Sequence, residues 1–164
     1  MEKLNFVIES FQTKYQNQVI DLISNIQQNE FFIKITPAEQ PDLKNISEFY
    51  QKNNGNFWIA TCGDKVIGTI ALLDIENNKA ALRKMFVDKD YRGKEIGIAK
   101  QLLDNLLDWA KEHNIKTIFL GTTPAFLAAH RFYEKNGFTE ITEQDLPKNF
   151  PIINVDKKFY KKSL

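Results

Sequence analysis

Tyr91-Arg92-Gly93-Lys94-Glu95-Ile96-Gly97 is the segment of this 164-residue chain whose residue types and spacing bear most directly on chemistry. It lies between an apolar run of β character, Met85-Phe86-Val87, and a long stretch of helical spacing. A strand-to-helix junction aims unpaired backbone N–H groups and the positive end of the helix dipole at one place, which favours an anion. Gly93 and Gly97 have no Cβ to hold off a diphosphate, and Arg92 and Lys94 put cationic donors at its edge. Taken alone, the segment serves equally well as a solvated basic loop whose glycines only make the turn. It is not a Walker A loop, which needs Gly-Lys-Ser/Thr at the helix start. Nor is it a dinucleotide fingerprint, which needs Gly-x-Gly-x-x-Gly inside a βαβ unit.

Other side chains carry weaker signals. Phe126, Ala129 and Tyr133 share a helical face at the i, i+3, i+7 spacing, and aromatics so spaced are usually packing. His130 stands one position off that face and His113 sits in a helix C-terminus, so neither is assigned a catalytic role. A general base cannot be read from the chain. Cys62 is the single cysteine, with no partner for an intramolecular disulfide, and reads as inert.

The elements that must position these residues follow from periodicity. Phe6-Val7-Ile8 starts a strand, and Val19, Leu22, Ile23 and Ile26 recur as one face of a helix. Phe31 and Phe32 fall in a loop punctuated by Pro37 and Pro41, and Leu43, Ile46 and Tyr50 suggest a second short helix. Phe57 to Ala60, Val66 to Leu73 and Ala81 to Val87 read as three antiparallel strands, turning at Cys62-Gly63-Asp64 and Glu76-Asn77-Asn78. Ala99, Leu102, Leu103, Leu106 and Ala110 face one way on a long helix, and Ile115 to Leu120 is a strand. Thr123 is expected as an N-cap with Pro124 at the first position of a helix running to Lys135, closed by Asn136-Gly137. Phe138 to Ile141 and Ile152 to Tyr160 are the last expected strands, and Lys157, Lys158, Lys161 and Lys162 read as a solvated strand edge.

Composition sets the bounds. Hydrophobic residues at 43% and charged residues at 26% suit an ordinary globular chain, and the length suits a single domain over residues 1–164. A net charge of +1 offers nothing to draw nucleic acid, so none is expected as partner. The longest apolar run, Val66 to Leu73, contains Gly68 and Thr69 and falls far short of the roughly 18 residues of a membrane span, so no membrane partner is expected. The start Met1-Glu2-Lys3-Leu4-Asn5 leads into no apolar signal segment, and with one cysteine a cytoplasmic protein is expected.

From Leu82 to Phe138 the chain resembles the GNAT superfamily of acetyl-CoA-dependent N-acetyltransferases. The likeness rests on the strand Met85-Phe86-Val87, the loop Arg92 to Gly97, a long amphipathic helix, the strand Ile118-Phe119-Leu120, and Ala129-His130-Arg131-Phe132-Tyr133-Glu134-Lys135-Asn136-Gly137-Phe138. The last stretch is similar to the family's Ala-x-x-x-Tyr-Glu-Lys-x-Gly-Phe motif. The resemblance implies a mixed α/β fold: a mostly antiparallel sheet of six or seven strands, splayed between its two central parallel strands, with helices on both faces. It also implies acetyl-CoA as cosubstrate and attack of a primary amine directly on the thioester. The amine acceptor, a small molecule or a peptide, is left open, as is a homodimer; a non-catalytic acyl-CoA-binding module is the alternative.

Carried over residue by residue, the resemblance puts the pantetheine arm along Met85, Phe86 and Val87 and the diphosphate on Arg92, Gly93, Lys94, Glu95, Ile96 and Gly97. Thr122 and Ala129 are further expected cofactor contacts. Tyr133 matches the family's acid, whose phenol protonates the departing thiolate, and a backbone N–H of Met85 or Phe86 would meet the oxyanion. Glu95 departs from the usual glycine and is expected to face outward. Phe126 stands where an asparagine is common, so aromatic packing or Thr122 or Thr123 takes its place. Phe31, Phe32 and Asp145 to Pro151 fall in the regions that choose the acceptor.

Overall fold

The computed structural model describes residues 4–164, so the Met1-Glu2-Lys3 start lies outside the described residues. The chain runs β1 (Val7–Ser10), α1 (Gln16–Ser24), α2 (Ile46–Tyr50), β2 (Asn56–Cys62), β3 (Lys65–Asp74), β4 (Lys79–Val87), α3 (Ile98–Glu112), β5 (Thr117–Thr122), α4 (Leu127–Lys135), β6 (Thr139–Ile141) and β7 (Lys158–Ser163). A π-helical turn, Asn25–Glu30, extends α1.

The seven strands form one open sheet in the order β1-β2-β3-β4-β5-β7-β6. Every pairing is antiparallel except β4 with β5. The β2–β3 hairpin turns through Gly63, and the β3–β4 hairpin through Glu76, Asn77 and Asn78, all three in the left-handed region at φ 73°, 56° and 60°. Asp74 stabilises that second turn by accepting the Glu76 amide at 2.7 Å.

Alternation along β2 builds two cores. Phe57 and Ile59 pack with Val19, Ile23, Ile46 and Tyr50 beneath α1 and α2. Trp58 and Ala60 face the other way, with Ile98, Leu102, Leu103 and Leu106 of α3 and Tyr133 of α4. A third cluster joins Ala81 and Phe119 of the sheet to Phe150 and Phe159 of the C-terminal region.

Two boundaries and the place of one strand differ from the expectation. The helix expected from Pro124 starts at Leu127, with Phe126 at φ −90°, ψ 63° as its cap. The Thr123 carbonyl accepts the Phe126 amide at 3.1 Å and also His130 Nε2 at 3.0 Å, which turns 123–126 into a bend before the helix. The last strand is Lys158–Ser163 rather than Ile152 to Tyr160, because the Asp156 amide closes a turn onto the Ile153 carbonyl at 2.9 Å. It is also no edge: β7 pairs with β5 on one side and β6 on the other, so its lysines stand on an interior strand.

Candidate active site

β4 and β5 pair only over Lys79↔Thr117, Ala80↔Ile118 and Ala81↔Phe119 and then part. Beyond Ala81, the β4 backbone through Val87 has no partner strand on that side, and such an edge can receive an extended ligand as a strand is received. A cavity of about 80 Å³ opens there, lined by Lys84, Met85 and Phe86 of β4, Thr122 at the end of β5, and Tyr133 of α4.

Where β4 ends, the loop leads into α3. Gly97 caps the helix at φ 79°, a conformation costly for a residue with a Cβ, and Gly93 lies at φ 124°. The Gly97 amide bonds to the Gly93 carbonyl at 3.0 Å. The amides of Lys94, Glu95, Ile96, Ile98 and Ala99 have no backbone acceptor among the described residues, so the junction presents a set of open donors at the positive end of a 15-residue helix. Glu95 is exposed. Lys94 and Arg131 crowd Lys135, holding its ammonium below the usual lysine range. Lys135 thus joins Lys94, from the loop, and Arg131 in one cationic cluster, a grouping of two distant segments that the sequence alone did not single out.

Arg92 is engaged within the protein. Its Nε donates to the Val87 carbonyl at 2.8 Å, its guanidinium makes a two-pronged ion pair with Glu30, and it lies over the Phe31 ring at 5.9 Å. It ties the end of β4 to the turn after α1. Phe126 meets Phe31 edge-on at 4.8 Å and Phe86 at 6.1 Å, so aromatic packing, one of the alternatives the sequence left open, occupies the position where the family commonly carries an asparagine. Phe32 is 82% exposed, and of the 145–151 stretch Phe150 and Pro151 line the cavity.

Tyr133 is buried against Phe138 and Tyr160, with ring centroids 5.6 and 5.9 Å away, and it also lines the cavity. Burial, then the charge of Asp156 and the Tyr160 phenol, push its phenol well above the ordinary value, so it stays protonated and available as a donor. His130 is committed to the Thr123 carbonyl, and Ala129 is partly buried beside the α3 face of the core.

The floor is a polar network that the sequence did not announce. A bulge in β4, where Thr69↔Phe86 gives way to Ala71↔Arg83, puts Lys84 at φ 55°, and the Thr69 hydroxyl donates to its carbonyl at 2.6 Å. The bulge turns the Lys84 ammonium inward to Asp42 at 3.6 Å and to Gln40 Oε1. Tyr50 donates to Asp42 at 2.6 Å, and Gln40 and Gln27 exchange amide hydrogen bonds at 2.8 and 3.2 Å. Burial and the neighbouring Arg83 bring Lys84 down to about 8, against the pull of Asp42 and Asp156. Arg83 lies over the Phe49 and Tyr50 rings at 5.7 and 5.8 Å and lines the cavity, with no carboxylate in ion-pair reach among the described residues. Two consecutive cations in an apolar strand were the available signal.

Residues 20–138 match the model of the Acetyltransferase (GNAT) family. The chain belongs to that family. The GNAT chain superposes on a crystal structure of an acetyltransferase of the same family from Staphylococcus aureus MU50 at a TM-score of 0.93, with 43% identity over 97% of this chain and 99% of that one. An N-acetyltransferase (paia) from Thermoplasma acidophilum, solved in complex with coenzyme A, shares the fold at a TM-score of 0.73 and 17% identity, covering 98% of this chain and 99% of that one. N-acetylaspartate synthetase from Xenopus tropicalis is 41% identical over 106 residues, 63% of this chain and 38% of the relative, so the GNAT chain spans little more than a third of that protein's length. Enzymes of this family use acetyl-CoA. No described helix is long and apolar enough to cross a membrane.

Proposed function

We propose that the chain, as a single domain over 1–164, transfers the acetyl group of acetyl-CoA to the primary amine of a small acceptor that carries a carboxylate. The observation that supports acetyl transfer most directly is the parting of β4 from β5 beyond Ala81, with the open amides of the α3 start at one end and Tyr133 beside it. The carboxylate is inferred from Arg83, an unpaired guanidinium on the cavity wall braced by two aromatic rings, which suits a planar anion. The name of the Xenopus relative points the same way, its product being an acetylated amino acid.

In this scheme the Met85–Val87 edge takes the pantetheine arm, and Thr122 and Ala129 border it. The diphosphate meets the Lys94, Glu95 and Ile96 amides with Gly93 and Gly97 leaving it room, and Lys94 and Lys135 neutralise it. Arg92 acts through its hold on Val87 and Glu30, keeping the loop in place. The amine attacks the thioester carbonyl, the oxyanion is met by a backbone N–H of Met85 or Phe86, and Tyr133 gives its proton to the leaving sulfur. The near-neutral net charge supports the absence of a nucleic-acid partner, and the free thiol of Cys62 supports a reducing, cytoplasmic setting.

The test is thiol release from acetyl-CoA over a panel of primary amines, each paired with its carboxylate-free counterpart. Turnover is expected with the carboxylate-bearing member of a pair, and Arg83→Ala should raise its KM by about tenfold to a hundredfold, the loss of one charge-assisted bond. Absence of thiol release across the panel contradicts acetyl transfer, and equal turnover within each pair contradicts the carboxylate.

A further inference from the structure

We propose that Asp156 is the proton acceptor for the attacking amine: its carboxylate, unpaired within the protein, is seated in the cavity beside Tyr133 and is built to receive the acceptor's ammonium. The assignment rests on the acetyl transfer proposed above and adds the residue that the sequence could not supply.

Among the described residues that line the cavity, Asp156 is the one carboxylate. Asp42, which does not line the cavity, is already taken by Lys84 and by the Tyr50 hydroxyl. His130, the histidine bordering the site, spends Nε2 on the Thr123 carbonyl. The Asp156 side chain has no ion pair or hydrogen bond among the described residues, an unusual state for a partly buried carboxylate and one that a ligand's ammonium would relieve.

Its seat is made rather than left over. The turn closed by the Asp156 amide on the Ile153 carbonyl is pinned to β5 by the next residue, whose amide donates to the Thr122 carbonyl at 3.1 Å. Beneath it is Gly121, where an ideal Cβ would come within 2.8 Å of Asp156 Oδ2 and 3.0 Å of the Phe159 ring. Only glycine at that position leaves the carboxylate where it stands.

The charges around it fit the task. Arg83 and Lys84 face it from β4, Lys157 adjoins it, and Tyr133 faces it from α4. Burial raises the carboxyl to about 6 against the pull of those three cations. It is therefore ionised at neutral pH, yet basic enough to accept a proton. As the ammonium docks, one N–H proton passes to Asp156 and the freed nitrogen lone pair forms the C–N bond. The C–S bond then breaks and Tyr133 protonates the sulfur. The nitrogen gives up two protons in all: one leaves to water through Asp156, and the other restores the Tyr133 phenol.

The pH dependence of kcat/KM for the amine decides the matter. With Asp156 as acceptor, the wild type should level off just above pH 6 and stay flat up to the amine's own pKa, because the ammonium is the form that docks. Asp156→Asn should lose about 10²–10³-fold at pH 7. It should instead climb tenfold per pH unit over that interval, as free amine becomes available, and Asp156→Glu should bring back the plateau. The Asn variant should melt no lower than wild type at pH 8, since it replaces a carboxylate disfavoured in its ionised form. An Asn profile that is flat like the wild type's overturns the assignment. A wild-type rate that tracks amine ionisation throughout overturns it without any variant. No thiol release by the wild type with any amine strikes at acetyl transfer itself, whereas turnover with an unchanged Asn profile strikes only at Asp156.

Discussion

Tyr133 shows how two demands are met by one side chain. Its ring fills the space between Phe138 and Tyr160, which is what helical spacing alone suggested, while the residue also lines the cavity, where the acid role proposed for its hydroxyl needs it. Removing that hydroxyl leaves the packing in place, so Tyr133→Phe should lower kcat by about 10²–10⁴ with little change in coenzyme A affinity, read by thiol release and calorimetry. Unaltered turnover would make the residue purely structural. Asp156 is the opposite case. An aspartate in a segment whose Ile152 and Ile153 suggested a strand carries no signature of its own, and its importance emerges only from the turn that seats it over Gly121.

At the level of elements, the decisive departures are in β4. Periodicity located the strand and its hairpins, because alternation and turn residues are local properties of the chain. The bulge at Lys84 was not legible: a left-handed lysine is imposed by the match between β3 and β4, two segments whose register no single stretch encodes. That bulge buries a cation whose side chain is 4% exposed, against an Asp42 side chain 6% exposed. Replacing Lys84 with methionine strands the Asp42 charge, and the fold should lose about 3–5 kcal/mol in a denaturant titration. A loss below 1 kcal/mol would mean that the Tyr50 and Gln40 contacts, rather than the ion pair, hold the floor. The α4 boundary failed for a related reason. Thr123-Pro124 is a sound local helix start, but the Thr123 carbonyl is spent on Phe126 and His130, and the Phe126 ring is held by Phe31 and Phe86 from distant parts of the chain.

For the molecule as a whole, the expected sheet, its parallel pair and the helices on both faces are all present, with seven strands. The family motifs carried that much because they sit on consecutive elements from β4 to α4, where order along the chain and position in space coincide. The cavity wall and floor proposed to meet the acceptor are built otherwise: Gln27 and Gln40, Asp42, Arg83 and Asp156 come from the two ends of the chain and its middle, and meet only once the sheet is assembled. All of it depends on the opening between β4 and β5 being the berth of coenzyme A. A crystal structure of the protein grown with coenzyme A tests this most directly. The arm should lie along Met85, Phe86 and Val87, the diphosphate on the amides at the start of α3, and the sulfur within hydrogen-bond reach of the Tyr133 hydroxyl. Coenzyme A bound elsewhere, with β4 and β5 closed over an empty gap, would contradict the account.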